Sequence, residues 1–220
     1  MTRRRAAAAL AFAVLLAGAG GCSKWKSLVK YEPQPGPRVG EWSDVRKAVT
    51  RREQLYDGFD HRATATATYL SPAVRVARTK RLAEWQSWTD AELARALTAE
   101  RAEADRYEDF VVAFYAADPR TNDLDGKQSV WRVALEVDEG EFRPAEIRAL
   151  DIDATLLNLY PYIGNFDVVY RVRFPRAPGG PLGGRMAVLE IAGALGQINL
   201  DFETPAAVAP EWPLERIPDR

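Results

Sequence analysis

The sequence predicts an α+β protein, mainly an antiparallel β-sandwich, with a helical hairpin inserted near residues 72–105. Three observations predict it. From Tyr107 onward, short segments alternate apolar and polar residues, as strands do when one face meets a core and the other meets water. Between Ser71 and Asp105 the spacing becomes helical and opens on two capping signals. Turn residues separate the segments at short intervals, which suits hairpins better than parallel crossovers.

The elements follow in chain order. The stretch "VTRREQLYDGFDHRATATATYL" reads as a hairpin about Asp57-Gly58, with a helix over Val45–Gln54 capped by Ser43 as the alternative. Ser71-Pro72 starts a helix that puts Val74, Ala77, Trp85 and Trp88 near one face. Thr89 to Glu92 forms a capping box for a second helix, with Leu93 and Leu97 on its buried stripe. "FVVAFYAA" is an apolar strand. "SVWRVALEVD" sets Trp131, Val133, Leu135 and Val137 on one side. Glu139-Gly140 then turns the chain into "EFRPAEIRAL". "FDVVYRVRFP" places Phe166, Val168, Tyr170, Val172 and Phe174 on one face, and "RMAVLEIAG" and "GQINLDFE" close the series. An Ig-like sandwich is the preferred architecture, although a single cysteine leaves no disulfide of a true immunoglobulin domain. One globular domain is expected over 42–205, followed by a proline-rich tail at 206–220.

Composition narrows the function classes. At 47% hydrophobic and 28% charged residues, the chain is of ordinary globular type. Three of its 30 basic residues, Arg3, Arg4 and Arg5, lie in residues 1–21, which hold no acid. The rest therefore carries 27 basic against 31 acidic residues. That balance gives nucleic-acid binding no electrostatic support.

The three arginines precede an apolar run, Ala6 to Ala17, too short for a permanent span but right for a signal-peptide core. Small residues follow, ending in Ala19-Gly20-Gly21-Cys22. This series resembles the lipobox of bacterial lipoproteins, with Ala19 where leucine is preferred. The resemblance covers the first 22 residues. It implies that residues 1–21 are a signal peptide, and that the Cys22 sulfur receives a diacylglyceryl group whose palmitate-type chains enter a lipid bilayer. Cys22 is the only cysteine, so an exported domain has no other thiol to misoxidise. Two or more acyl chains anchor a protein stably at roughly 0.8 kcal/mol per buried methylene.

Residues 22–41 read as a lipidated tether: Lys24, Lys26 and Lys30 lie near the anchor, and Pro33, Pro35 and Pro37 favour an extended spacer. Enterobacterial lipoproteins held at the inner membrane carry aspartate after the cysteine. Ser23 stands there here, which by that resemblance implies an outer-membrane anchor facing the periplasm.

Chemistry-bearing motifs are few. His61 is the only histidine, which excludes a multi-histidine metal site. In "TNDLDGKQ", Asp123, Asp125 and Gly126 fit calcium-loop positions, but Thr121 at the first and Arg132 at the twelfth do not. Asp151 and Asp153 share one face if extended, a weak candidate for carboxylate chemistry. "APGGPLGG", residues 177–184, reads as a flexible connector. No catalytic residue, cofactor site or metal site is expected.

One apolar cluster stands out. "LLNLYPYIGNF", residues 156–166, either plugs the open end of the sandwich or lines a groove, with Leu157, Tyr160 and Tyr162 as the possible contact surface. The expected function is a membrane-anchored envelope lipoprotein acting as a non-enzymatic binding or scaffolding module with an envelope protein partner. The alternatives are a lipid or lipoprotein carrier with an apolar cavity and a carboxylate-based hydrolase. Cys22→Ala is expected to abolish labelling by a fatty-acid analogue and to release the protein from membrane fractions. Unchanged labelling and fractionation in that variant would overturn the anchor.

Overall fold

The computed structural model describes residues 40–176, 182 and 185–202. The expected signal peptide, Cys22, the tether up to residue 39 and the tail at 206–220 lie outside the described residues. The first element among the described residues is helix α1, Gly40–Ala48, which starts just before the expected domain boundary at residue 42. The alternatives for this region are both partly realised: the helix ends at Ala48, and strand β1, Thr50–Asp57, takes over.

Strand β1 turns into β2, Asp60–Tyr69, at the expected Asp57-Gly58 turn. Gly58 occupies the first central position with φ of 61°, where a side chain would be strained. Helices α2, Pro72–Gln86, and α3, Asp90–Ala104, form the expected hairpin. Both capping signals operate. The Val74 amide donates to Ser71 Oγ at 3.4 Å, and Thr89 and Glu92 satisfy each other's backbone amides at 2.7 and 3.3 Å. The remaining strands are β3, Tyr107–Ala116; β4, Trp131–Val137; β5, Gly140–Phe142; β6, Glu146–Ala149; β7, Val168–Pro175; β8, Ala187–Gly193; and β9, Gly196–Asp201. A short helix α4, Ala154–Leu159, precedes β7.

The nine strands among the described residues make two antiparallel sheets, ordered β1-β2-β3-β7-β6 and β5-β4-β8-β9. This is an α+β, sandwich-like fold. The order does not reproduce the immunoglobulin arrangement, in which the third strand crosses to the opposite sheet. Here β1, β2 and β3 form one meander, interrupted only by the helical hairpin. The sheets meet along β1 and β9, where the Arg51 guanidinium donates to the Asp201 carbonyl at 2.8 Å. At the other edge the chain steps from β5 to β6 through Pro144, which has no amide to give a ladder. The single run expected from "EFRPAEIRAL" is therefore split between sheets.

Alternation along β2 and β3 decides what each face of the first sheet meets. Tyr69, Phe110 and Phe114 face the second sheet: Phe110 meets Phe202 with ring centroids 5.1 Å apart, and Phe114 meets Trp131 edge-on at 5.4 Å. Trp131, Val133, Leu135 and Val137 are all buried, as the alternation predicted. Leu182, within the expected flexible connector, is fully buried in this core. Phe166 departs from its expected inward face. Strand β7 starts only at Val168, after a turn closed by Gly164 N donating to Asp167 Oδ2 at 2.7 Å.

The opposite face of the first sheet meets the helices through charge. Asp109 on β3 is wholly buried, and its carboxylate accepts from Arg75 of α2 at 2.7 Å, Arg171 at 2.7 Å and Arg173 at 2.9 Å, both of β7. Glu100 of α3 accepts from Arg75 at 2.9 Å, and Glu103 of α3 pairs with Arg173. Phe110 and Phe114 thus point from β3 into the space between the sheets, while Asp109 points from the same strand toward the helices. Asp109→Ala leaves three guanidinium groups without their shared anion and is expected to destabilise the domain by about 3–5 kcal/mol in denaturant titration. A loss below about 1 kcal/mol would show that the helices dock without it.

Candidate binding surface

Register places four connections at one end of the molecule: the β1–β2 turn, the β3–β4 loop, the segment before β7 and the β8–β9 turn. Gly193 and Gly196 draw the β8–β9 turn tight there. A Cβ at Gly193 would fall 1.9 Å from the Val130 carbonyl oxygen. Most of the exposed large apolar side chains among the described residues gather at this end. Phe59 is fully exposed, Phe166 is 80% exposed and Tyr56 is 52% exposed, with Val130 and Leu195 in neighbouring turns.

Each is exposed for a local reason. Phe59 holds the second central position of a two-residue hairpin, where no neighbouring strand can cover it. Phe166 sits in the turn before β7. Tyr56 lies against His61 with ring centroids 5.1 Å apart, and His61 stacks on Tyr115 at 5.5 Å. The His61 ring nitrogen Nε2 bonds the Thr64 hydroxyl at 2.8 Å. The sole histidine is thus part of an aromatic stack.

A cleft of about 370 Å³ opens beside this stack, lined by Tyr115, Ala116, Pro119, Asn122, Phe166 and Val168. Its wall is held from behind. The Trp131 indole donates to the Thr121 carbonyl at 2.7 Å, and the Tyr170 hydroxyl donates to the Asn122 carbonyl at 3.0 Å. Burial pushes the Tyr170 hydroxyl up to about 12, so it stays a donor at neutral pH. Within the loop, the Arg120 side chain donates three bonds to the Asp118 carboxylate, which hold that carboxyl below the ordinary range.

The residues expected from the sequence are distributed differently. Within "LLNLYPYIGNF", Tyr160 is 1% exposed and meets Trp42 of α1 edge-on at 5.9 Å, while the Trp42 indole donates to the Leu159 carbonyl at 3.2 Å. The Tyr162 hydroxyl reaches Thr68 at 2.8 Å, and burial raises it well above its usual range. This part is a plug, but it covers the helix-facing side of the first sheet rather than the open end of the sandwich. Leu157 is 42% exposed, so the proposed trio does not form one surface. Asp153 accepts from the Leu156 amide at 2.7 Å as the cap of α4, whereas Asp151 is exposed. In the calcium-like loop, Asp123 accepts from the Ser129 hydroxyl at 3.0 Å. Among the described residues no three histidine, cysteine or acidic side chains converge as metal ligands.

Elsewhere, Glu108 lies between the sheets. Burial raises its carboxyl above the ordinary value, the Tyr69 hydroxyl donates to it at 2.6 Å, and Arg176 stands 3.3 Å away. It is 2% exposed, which leaves no approach for a substrate.

No protein-family model, curated protein or solved structure matches the chain significantly.

The sequence could not show which aromatic residues face water. The one local signal was "DGFD", a phenylalanine at a hairpin tip. The two halves of the plug separate by experiment: Tyr160→Asp puts an unpaired charge into the core and is expected to unfold the domain, whereas Leu157→Asp should cost less than about 1 kcal/mol. Equal losses in thermal melts would contradict this placement.

Proposed function

We propose that this chain is a lipid-anchored envelope protein acting as a non-enzymatic binding module through the aromatic end of its sandwich. The observation that carries the proposal is the gathering of exposed Tyr56, Phe59 and Phe166 at one end of the strands, where Phe166 lines a cleft. Attachment through acylated Cys22, at the outer membrane and facing the periplasm, is the companion proposal and rests on the leader sequence. No helix among the described residues is long and apolar enough to cross a membrane.

The two other function classes find less support. Phe110, Tyr170, Phe174, Leu182 and Phe202 occupy the space between the sheets where a carrier would hold its cargo. Asp153 is committed to capping a helix, which weakens a paired-carboxylate hydrolase.

A photo-crosslinking amino acid placed at Phe166 tests the module in intact cells. Met186, exposed at the opposite end of the strands, is the control. A discrete protein adduct is expected from position 166 and not from 186. Equal adducts from both positions, or none from 166, would overturn the proposal.

A further inference from the structure

Resting on that binding module, we propose that its occupant is a partner-protein segment combining a large apolar side chain with lysine or arginine. Three features of the aromatic end carry this. The first is charge. The turns there hold Asp57, Asp60, Asp118, Asp123, Asp125 and Asp167 against only Arg62, Arg120 and Lys127, although the whole chain has a net charge of only −1. Two of those three cations are already neutralised, Arg62 by Asp57 at 2.8 Å and Arg120 by Asp118 at 2.7 Å. Asp60, 4.0 Å from the Arg62 guanidinium, and Asp125 are both exposed in the turns of this end.

The second feature is an acceptor in want of a donor. Asn122 lines the cleft and donates its amide to the Phe166 carbonyl at 3.4 Å, but its buried side-chain oxygen has no hydrogen-bond partner. That oxygen is sealed from solvent, so an N–H donor of the occupant meets it only if the Asn122 side chain turns outward on binding. The third is the rings themselves. Phe59 and Phe166 offer open π faces, and Tyr56, packed on His61, is half exposed; the negative potential of such faces attracts ammonium and guanidinium groups. Acidic residues around an apolar centre give a cationic partner both steering and register. The same field repels nucleic acid and anionic lipid headgroups.

The arginines of the ionic network add direction to this field. Arg171 and Arg173 cluster with Asp109 toward the opposite end of β3 and β7. Among the described residues, the aromatic end therefore keeps its negative charge without a compensating basic patch nearby.

The test uses the purified full chain in detergent and two fluorescently labelled synthetic peptides of equal length. One alternates lysine with tryptophan and leucine; the other carries glutamate at every lysine position. Anisotropy should show binding of the lysine peptide only, weakening about tenfold between 50 and 500 mM salt. The double variant Asp60→Asn, Asp125→Asn should lose about three- to tenfold in affinity at low salt. Phe59→Ser with Phe166→Ser should remove binding while leaving the thermal midpoint unchanged. Binding that ignores salt and the asparagine variant, or equal binding of the glutamate peptide, overturns the cationic partner and leaves the binding end intact. Binding that survives the serine variant overturns the binding end itself. Failure of the lysine peptide to bind below about 1 mM, or saturable binding of a peptidoglycan oligosaccharide in its place, overturns a cationic protein segment as the occupant.

Discussion

The carboxylate of Asp109 is the constraint on which the architecture depends. It is fully buried, and it is held by guanidinium groups from α2 and β7 while α3 supplies the outer anions. Removing such an anion from water is costly unless every lone pair is met by a well-placed donor. The helical hairpin is therefore docked in one position, because sliding it would leave Asp109 or Arg75 buried without a partner. An apolar contact tolerates small shifts far better than this network does. The network also ties β3 to β7, two strands distant in sequence, and so aligns the second half of the first sheet with the first half.

That arrangement polarises the molecule. One end of the strands carries the interlocked arginines and acids, together with Arg176 and Glu108 between the sheets. The other end carries short turns with aromatic tips and a cleft backed by Trp131 and Tyr170. A rigid scaffold with its specific side chains on turns is the usual arrangement of a binding surface, since strands hold position and loops supply chemistry. The indole and phenol bonds to the Thr121 and Asn122 carbonyls matter here because they anchor the loop from inside, leaving its outer face free for contact.

Much of the fold was legible before the structure. The helical hairpin stands where its capping residues placed it, the Asp57-Gly58 turn is real, and the alternation of β4 gives the correct inward face. These features depend on interactions within a few residues, such as Thr89 with Glu92, which the sequence displays directly. Short helix α4 was missed because six residues are too few for periodicity, although Asp153 is a fair capping signal. Phe166 was misplaced because alternation does not show where a strand begins.

The sequence by itself determined the element types, the turn positions and which face of most strands is apolar, because propensity, capping and period two are local effects. It also supplied the pattern in residues 1–22 on which the proposal of an acylated Cys22 rests. Only the tertiary structure decided that Asp109, Arg75, Arg171 and Arg173 meet, that the two sheets divide at Pro144, and that Tyr56, Phe59 and Phe166 share one end while Tyr160 is sealed beneath α1. Those outcomes depend on strand order and on pairing between residues dozens of positions apart. Alternation looks the same whether a strand pairs with one neighbour or another, so it carries no record of that choice.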